Sequence, residues 1–151
     1  MAEPMMGYAG QPEPLELPGE TWCPVPGFDG YSASTLGRIR GDERRAADGR
    51  KMGALVMRQR PDDDGYMLVT LWRDGRPVTQ RVNRLVLLAH RGEPRRADYE
   101  AKHRNHRRAD NRLSNLSWGS RASNARERER HKRQQRKRTT PGVAVTDVTC
   151  G

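Results

Sequence analysis

Alternating apolar and polar positions mark a β-hairpin in the middle of the chain. Residues 66–72 and 77–82 alternate in this way and are separated by Asp74-Gly75, a dipeptide typical of tight turns. Asn83 then stands where it could cap a helix over residues 84–90, ending near Gly92. Apolar residues cover most of the circumference of that helix, so we predict that it is buried in the core.

Weaker patterns precede the hairpin. Residues 1–20 are rich in Pro, Gly and Glu without periodicity and are predicted to form a disordered tail. Residues 21–31 place large apolar residues among prolines and glycines, which indicates turns. Residues 34–40 alternate around a glycine and predict a short strand, whereas the polar residues 42–52 predict a mobile loop.

The pattern changes again after the buried helix. Residues 99–103 and 115–118 are predicted to be two short strands, the second ending at Gly119. Residues 121–138 follow as a long helix, and residues 139–151 form a C-terminal tail that could add an edge strand. The element order predicts a mixed α+β protein.

Charge changes this picture, because it is concentrated at one end of the chain. The 151 residues carry a net charge of +10, and residues 101–140 hold fourteen basic residues against three acidic ones. Only 33% of residues are apolar and there is a single Phe, so the core must be modest. A chain of this length forms one domain, or two very small ones that share a core. Positive charge segregated in this way predicts a protein that binds nucleic-acid phosphates.

Cysteine spacing and hydropathy argue against several other classes. Cys23 and Cys150 lie near opposite ends with no C-x-x-C pair, so a structural zinc is not expected. There is no apolar run of about 18 residues and no signal-peptide pattern at the start. We therefore predict an intracellular protein that has no membrane partner. The three tryptophans lie among apolar residues and are expected to pack in the core.

The basic segment contains an extended motif. His103 is followed by Asp110-Asn111, by Asn115-Leu116-Ser117-Trp118 and by Asn124, with spacings of twelve and then nine residues from His103 to Asn115 to Asn124. This segment resembles the HNH nuclease motif of phage and mobile-element endonucleases. The resemblance implies a ββα-metal (His-Me finger) nuclease unit over residues 93–138, ending in the long basic helix.

The upstream residues resemble a NUMOD-type (nuclease-associated modular) DNA-binding module. The similarity lies in residues 22–28 (WCPVPGF), 31–40 (YSASTLGRIR), 65–66 (GY) and 83–86 (NRLV). It implies a short-stranded N-terminal module with one buried helix over residues 21–92. A homing-type endonuclease with this arrangement would act on double-stranded DNA as a monomer or weak dimer, encoded by a phage and working in the cytoplasm of a bacterial host.

Hydrolysis of a phosphodiester needs a base for water and positive charge over the phosphate. A neutral His103 can act as the general base. Mg²⁺ (or Mn²⁺), held by side-chain oxygens and the substrate phosphate, can supply the positive charge. By resemblance, Asn124 is a metal ligand and Asn105 stands where the family often has Asp, so it is a second candidate ligand. Asn115 is assigned to the catalytic centre as the residue that holds the loop and orients His103.

Basic residues near this motif and upstream of it are predicted to contact DNA. His106 could alternatively be a metal ligand, although a phosphate contact is favoured. The predicted contacts are Arg38, Arg40, Arg81, Arg84, Lys102, Arg104, His106, Arg107, Arg108, Arg112, Arg121 and Arg126. Further basic residues of the long helix are expected to follow the DNA backbone.

The sequence departs from the family pattern at Lys102, where many members have an acidic metal ligand. A charged lysine cannot bind Mg²⁺. A non-catalytic DNA-binding protein derived from an HNH nuclease is therefore the alternative. An RNA-binding protein is a third hypothesis, which the Arg-rich helix favours, but the chain lacks the aromatic strand that single-stranded RNA readers commonly use. Asn83, where a His is common, is treated as a minor change.

Overall fold

The computed structural model describes residues 13–139. The predicted tails at residues 1–12 and 140–151 lie outside the described residues. The secondary structure consists of strands β1 (Trp22–Pro24), β2 (Tyr31–Ser34), β3 (Ile39–Gly41), β4 (Arg44–Arg45), β5 (Lys51–Met52), β6 (Leu55–Val56), β7 (Arg60–Pro61), β8 (Met67–Arg73), β9 (Arg76–Arg81), β10 (Tyr99–His103) and β11 (Leu116–Ser120), helices α1 (Val82–Arg91) and α2 (Arg121–Thr139), and a 3₁₀ turn (Leu113–Asn115).

The strands form small antiparallel sheets. One sheet has the order β1-β2-β3-β6 and another the order β7-β8-β9, while β4-β5 and β10-β11 are two-stranded. This is a mixed α/β architecture of small sheets and two helices. Within residues 13–139, neither helix is long and apolar enough to cross a bilayer.

The predicted hairpin is confirmed as β8–β9. Trp72 pairs with Pro77, and the turn between the strands contains Asp74 (φ 54°) and Gly75 (φ 75°). Two successive positive φ values give the turn a twist that matches the strands. Val69 and Leu71 point into the core, whereas Trp72 lies on the other face with 54% of its surface exposed. The expectation that Trp72 packs in the core is therefore wrong.

Helix α1 is confirmed as the central core element. It begins at Val82, so Asn83 lies in its first turn and is not the cap; Arg81 takes the cap position without a side-chain cap bond. Gly92, with φ 75°, ends the helix by donating its N–H to the Leu88 carbonyl at 3.1 Å. The helix packs against strands on both sides of it in sequence, from β1 to β11.

Among residues 13–139, one hydrophobic core joins the N-terminal strands to the β10–β11 hairpin. Its buried residues are Val25, Phe28, Tyr31, Ala33, Ile39, Val69, Leu71, Val82, Leu85, Val86, Leu87 and Leu116. The last of these lies on β11, and Ala101 and Trp118 pack against the same cluster. The two parts of the chain are thus held together by one core, as a chain of this size requires.

Residues 34–40 do not form the single strand predicted, because a turn at residues 35–38 separates β2 from β3. Strand β2 ends at Ser34, whose hydroxyl accepts hydrogen bonds from the N–H groups of Leu36 and Arg38, both at 3.1 Å. Gly37 has φ 88° and lies against the Asn111 backbone so closely that a Cβ would sit 2.8 Å from the Asn111 carbonyl oxygen. A side-chain-to-backbone turn at Ser34 thus outweighs the alternating pattern.

Two other local expectations are corrected. Residues 42–52, predicted to be a mobile loop, contain the short hairpin β4–β5, whose turn includes Gly49 (φ 85°). Gly119 does not end its strand, because it pairs with Glu100 inside the β10–β11 ladder. The Asn124 side chain lies so close to Gly119 that an added Cβ would be 2.6 Å from its Oδ1, which is a reason for glycine at this strand position.

Residues 13–20 also differ from the predicted disordered tail. Glu20 accepts two hydrogen bonds from the Arg38 guanidinium, at 2.8 and 2.7 Å. Glu13 and the Pro14 carbonyl accept two more from the same group. The Arg38 side chain is only 13% exposed, so its charge needs these oxygen partners, and they hold the segment against the fold.

Candidate functional site

A cleft of about 900 Å³ lies between the β10–β11 hairpin, helix α2 and the N-terminal end of α1. The motif residues His103 and Asn124 both line it, His103 at the end of β10 and Asn124 in the first turn of α2. Basic side chains surround them, contributed by β9, β10, the loop after β10, α1 and α2. Those among the predicted DNA contacts are Arg81, Arg84, Lys102, His106, Arg108 and Arg121.

Asn115 holds the loop that follows β10. Its side-chain oxygen accepts the Asn105 N–H at 3.0 Å, and its amide nitrogen donates to Asn105 Oδ1 at 3.0 Å and to the Asp110 carbonyl at 2.8 Å. The Asn115 carbonyl also accepts the N–H of Arg104 at 2.8 Å. The loop is thereby closed directly beside His103.

His103 is oriented by Asn111. The ring is 8% exposed, and its Nε2 lies 2.8 Å from Asn111 Oδ1. Because an amide oxygen can only accept, this contact assigns the proton to Nε2 and leaves the Nδ1 lone pair available. Burial lowers the pKa of His103, although Asn111 and Asp110 partly oppose this effect. His103 is therefore a neutral imidazole at physiological pH.

Asn105, predicted to be a metal ligand, has a different role. Its amide nitrogen donates to Asp110 Oδ2 at 2.7 Å, and its Oδ1 accepts from the Arg107 N–H at 2.9 Å and from Asn115. These bonds place Asn105 in the loop, outside the cleft wall, with both amide atoms in use. Its assignment as a ligand is therefore withdrawn.

Asn124 lies in the first turn of α2 and is 4% exposed. Its amide nitrogen donates to the Gly119 carbonyl at 3.3 Å, but its Oδ1 is buried and has no hydrogen-bond partner among the described residues. Such an unpaired oxygen costs about 1–3 kcal/mol. An ideal Cβ on Gly119 would lie 2.6 Å from this oxygen, so only glycine permits the approach.

Lys102 lies in the cleft and is paired. Its Nζ donates to Glu127 Oε1 at 2.7 Å, with the two side chains 25% and 34% exposed. The hydrogen bond from Lys102 lowers the pKa of Glu127, so the carboxylate is ionised at neutral pH. Asp64 and Glu100 also line the cleft, and Glu100 accepts from Arg121 Nε at 3.0 Å.

The residues in this cleft can supply some of the ligands of a divalent ion but not a complete coordination shell, so a substrate would have to supply the rest. Within residues 13–139, no three His, Cys, Asp or Glu side chains are grouped so as to hold a metal. The available oxygens are the unpaired Asn124 Oδ1 and the nearby carboxylates. Mg²⁺ is commonly bound by one or two protein oxygens together with substrate phosphate and water. The donor set therefore fits an ion bound together with a phosphate.

His106 contacts helix α2 as well as lining the cleft. Its ring stacks on His131 with centroids 4.0 Å apart and planes inclined by 19°. His131 Nε2 in turn lies 2.8 Å from Gln135 Nε2. Burial and the nearby His131 lower the pKa of His106. The stacking holds the loop against α2, so His106 positions the loop in addition to facing the cleft.

Half of the residues predicted to contact DNA lie outside the cleft, and several of these side chains interact with other residues of the protein. Arg38 is held by Glu20 and Glu13, and Arg112 forms an ion pair with Asp110 at 2.7 Å that keeps the pKa of this carboxyl well below its usual range. Arg40 lies over the Trp22 ring at 4.3 Å. The predicted contacts that do not line the cleft are Arg38, Arg40, Arg104, Arg107, Arg112 and Arg126.

Sequence reasoning missed several cleft residues. The guanidinium groups of Arg81 and Arg108 lie 4.0 and 4.9 Å from the centroid of the Tyr66 ring, which is itself 6.0 Å from the centroid of the His103 ring. On α2, the missed residues are Glu127, His131 and Gln135, whereas Arg128 and Lys132 are among the basic residues of the long helix that were expected to follow the DNA backbone. The missed residues lie three, seven and eleven residues from Asn124, a spacing that places them on one helix face, which was the available signal.

Comparison with known proteins agrees with this arrangement. Residues 20–72 match the NUMOD4 motif. The chain is also similar to a solved structure of the HNH homing endonuclease I-HmuI, an enzyme that binds and cleaves DNA. The TM-score is 0.58 and the sequence identity is 21%. The match covers 78% of this chain and 66% of I-HmuI, just under two thirds of that protein. No curated protein matches the sequence.

These findings confirm the resemblance inferred from the sequence. The chain carries a NUMOD4 motif and shares the fold of an HNH homing endonuclease.

Proposed function

We propose that this chain is a DNA endonuclease that hydrolyses a phosphodiester bond with His103 as general base. The observation that best supports this is the His103 ring itself, buried, neutral and fixed through Nε2 by Asn111 at the wall of a basic cleft. The NUMOD4 motif and the fold shared with I-HmuI, which binds and cleaves DNA, favour duplex DNA as the substrate.

The cleft residues have different roles in the proposed reaction. Basic side chains on the walls, including Arg81, Arg84 and Arg121, hold the phosphates of the duplex. His103 Nδ1 takes a proton from water as the water oxygen bonds to phosphorus and the bond to the 3′ oxygen breaks. Asn111 keeps the ring in the tautomer that leaves Nδ1 free.

The strand–strand–helix arrangement of β10, β11 and α2 would then be a ββα-metal unit. Asn124 Oδ1 would hold the divalent ion, Mg²⁺ or Mn²⁺, together with a substrate phosphate. When bound, such an ion supplies positive charge to the phosphate and to the leaving oxygen. With one such site per chain, a monomer nicks one strand, and a double-strand break requires two chains or two encounters.

The direct test is conversion of supercoiled plasmid to the open-circular form. We expect the purified chain to nick plasmid with Mg²⁺ or Mn²⁺ and to stop when EDTA is added, because phosphate charge is then no longer neutralised by the ion. Nicking that persists in EDTA would contradict the role given to the ion. A failure to nick under any condition would contradict the endonuclease itself.

A non-catalytic DNA-binding protein is the second candidate, and Lys102 is the observation that favours it. Its ammonium lies where many HNH nucleases have an acidic ligand and already neutralises Glu127. This candidate requires duplex binding, measured by fluorescence anisotropy, without any metal-dependent nicking by the same preparation.

The nicking rate is expected to fall at acidic pH with a midpoint below 6.5, the ordinary pKa of His. His103 acts in its neutral form, and burial lowers its pKa, so the base stays unprotonated below the usual range. Below that lowered pKa, the rate should drop about tenfold per pH unit. Single-turnover nicking at saturating Mn²⁺ measures this profile, and a midpoint above 6.5 would show that His103 is not the titrating base.

A further inference from the structure

Helix α2 presents one polar face to the cleft. Asn124, Glu127 and His131 lie three and then four residues apart, so they are stacked on one side of the helix, and all three line the cleft. A carboxylate therefore lies one helical turn from the Asn124 amide, on the same wall.

The β10–β11 hairpin brings a cation to this point. Lys102 pairs with Ser117 in the β10–β11 ladder, which places Lys102 on the same hairpin face as Gly119, two residues further along β11. A Cβ on Gly119 would lie 2.6 Å from Asn124 Oδ1 and 3.3 Å from the Lys102 Cδ. The Lys102 stem, the Gly119 Cα and the Asn124 amide are thus packed together, and the ammonium reaches Glu127 at 2.7 Å.

The Asn124 oxygen is a second, independent sign of a ligand. Asn124 is 4% exposed, and its Oδ1 is buried with no hydrogen-bond partner among the described residues. An amide oxygen and a carboxylate on one helix face are the hard donors that a divalent ion takes in addition to phosphate and water. Glu100 is less suited, because its carboxylate is directed to Arg121 at 3.0 Å.

We propose that Glu127 is the carboxylate ligand of the divalent ion, beside the Asn124 oxygen, and that Lys102 takes the place of the ion until the ion binds. This inference rests on the proposed endonuclease function for the identity of the ion. It accounts for the missing acid at position 102, since the required carboxylate comes from α2 instead of from β10.

Displacement of Lys102 is compatible with its surroundings. The Lys102 and Glu127 side chains are 25% and 34% exposed, so water and ions reach the pair. The flexible stem of lysine allows the ammonium to turn to a DNA phosphate when Glu127 is taken by the ion. The exchange replaces a neutral ion pair by a site with net positive charge, which attracts the scissile phosphate.

The experiment measures Mn²⁺ binding by electron paramagnetic resonance, with and without a short DNA duplex, for the full chain and three variants. Glu127→Gln should weaken Mn²⁺ binding at least tenfold, because a charged ligand is lost. Lys102→Met should strengthen binding several-fold, because the competing ammonium is removed. Glu129→Gln is the matched control, because this carboxylate lies on the same helix but does not line the cleft, and it should leave the affinity for Mn²⁺ unchanged. Circular dichroism confirms that each variant is folded.

Plasmid nicking by the same preparations separates this inference from the proposed function. If Glu127→Gln weakens Mn²⁺ binding but the wild type never nicks DNA, the ligand assignment stands and the endonuclease proposal fails. If the wild type nicks DNA and Glu127→Gln binds Mn²⁺ normally, the ligand assignment is overturned alone. Weaker binding by Lys102→Met, or no Mn²⁺ binding by the wild type with or without duplex, also overturns the assignment.

Discussion

Replacing His103 with alanine is expected to lower the rate of metal-dependent plasmid nicking by about 10²–10⁴-fold, the usual contribution of a positioned general base. The ring is the neutral group with a free Nδ1 at the cleft wall, fixed by the Asn111 contact at 2.8 Å. Duplex affinity should change little, because the surrounding arginines carry the phosphate contacts. Single-turnover nicking and fluorescence anisotropy measure the two effects separately.

His90→Gln is the control for loss of an imidazole elsewhere. His90 lies near the end of α1, where its Nε2 is 2.9 Å from the Ala33 carbonyl oxygen, and it does not line the cleft. This variant should keep the wild-type nicking rate at a temperature where both proteins are folded. Equal losses of nicking in His103→Ala and His90→Gln would mean that His103 acts only through stability.

Replacing Gly37 with alanine is expected to damage both stability and cleavage, although Gly37 lies outside the cleft. A Cβ there would sit 2.8 Å from the Asn111 carbonyl oxygen and 2.9 Å from its carbonyl carbon, both backbone atoms. Overlap of this kind costs about 1–3 kcal/mol. Because Asn111 fixes the His103 ring, its displacement should also slow nicking, up to about 100-fold for a shift near 1 Å. Urea unfolding and single-turnover nicking measure the two losses.

Gly49→Ala separates backbone strain from the contact with Asn111. Gly49 has φ 85°, close to the 88° of Gly37, but nothing lies within 4 Å of an added Cβ. This control carries only the cost of an alanine at positive φ, about 1–2 kcal/mol, and should nick DNA at the wild-type rate. Equal nicking rates for the two variants would show that the Gly37 turn does not position Asn111.

The parts of the fold that sequence predicted well are those in which one local rule dominates. The alternation on either side of Asp74-Gly75 and the apolar circumference of residues 84–90 correspond directly to the β8–β9 hairpin and to α1. The turn at residues 35–38 was missed because its cause is the Ser34 hydroxyl together with a distant backbone at Asn111. Hydrophobic periodicity carries no information about such contacts, because they depend on individual side chains and on residues distant in sequence.

In the cleft, too, the sequence predicted which residues meet but not how each of them is bonded. The motif brought His103 and Asn124 to one site, and the structure places both on its walls. The roles within the loop were harder to assign, because Asn105, Asn111 and Asn115 offer identical amides. Which of these amides contacts the ring depends on how the loop closes, and the sequence does not specify that. Glu127 was overlooked because it is one of only two acids in a strongly basic helix.

The common core limits how this protein could be assembled by recombination. Leu116 of β11 is fully buried among residues of α1 and of the N-terminal strands. A β10–β11–α2 segment transferred alone to another protein would expose that leucine together with Ala101 and Trp118, and would lose the neighbours that shape its cleft. Exchange between related genes should therefore succeed only when helix α1 travels with the hairpin, and the whole fold should melt as one cooperative unit.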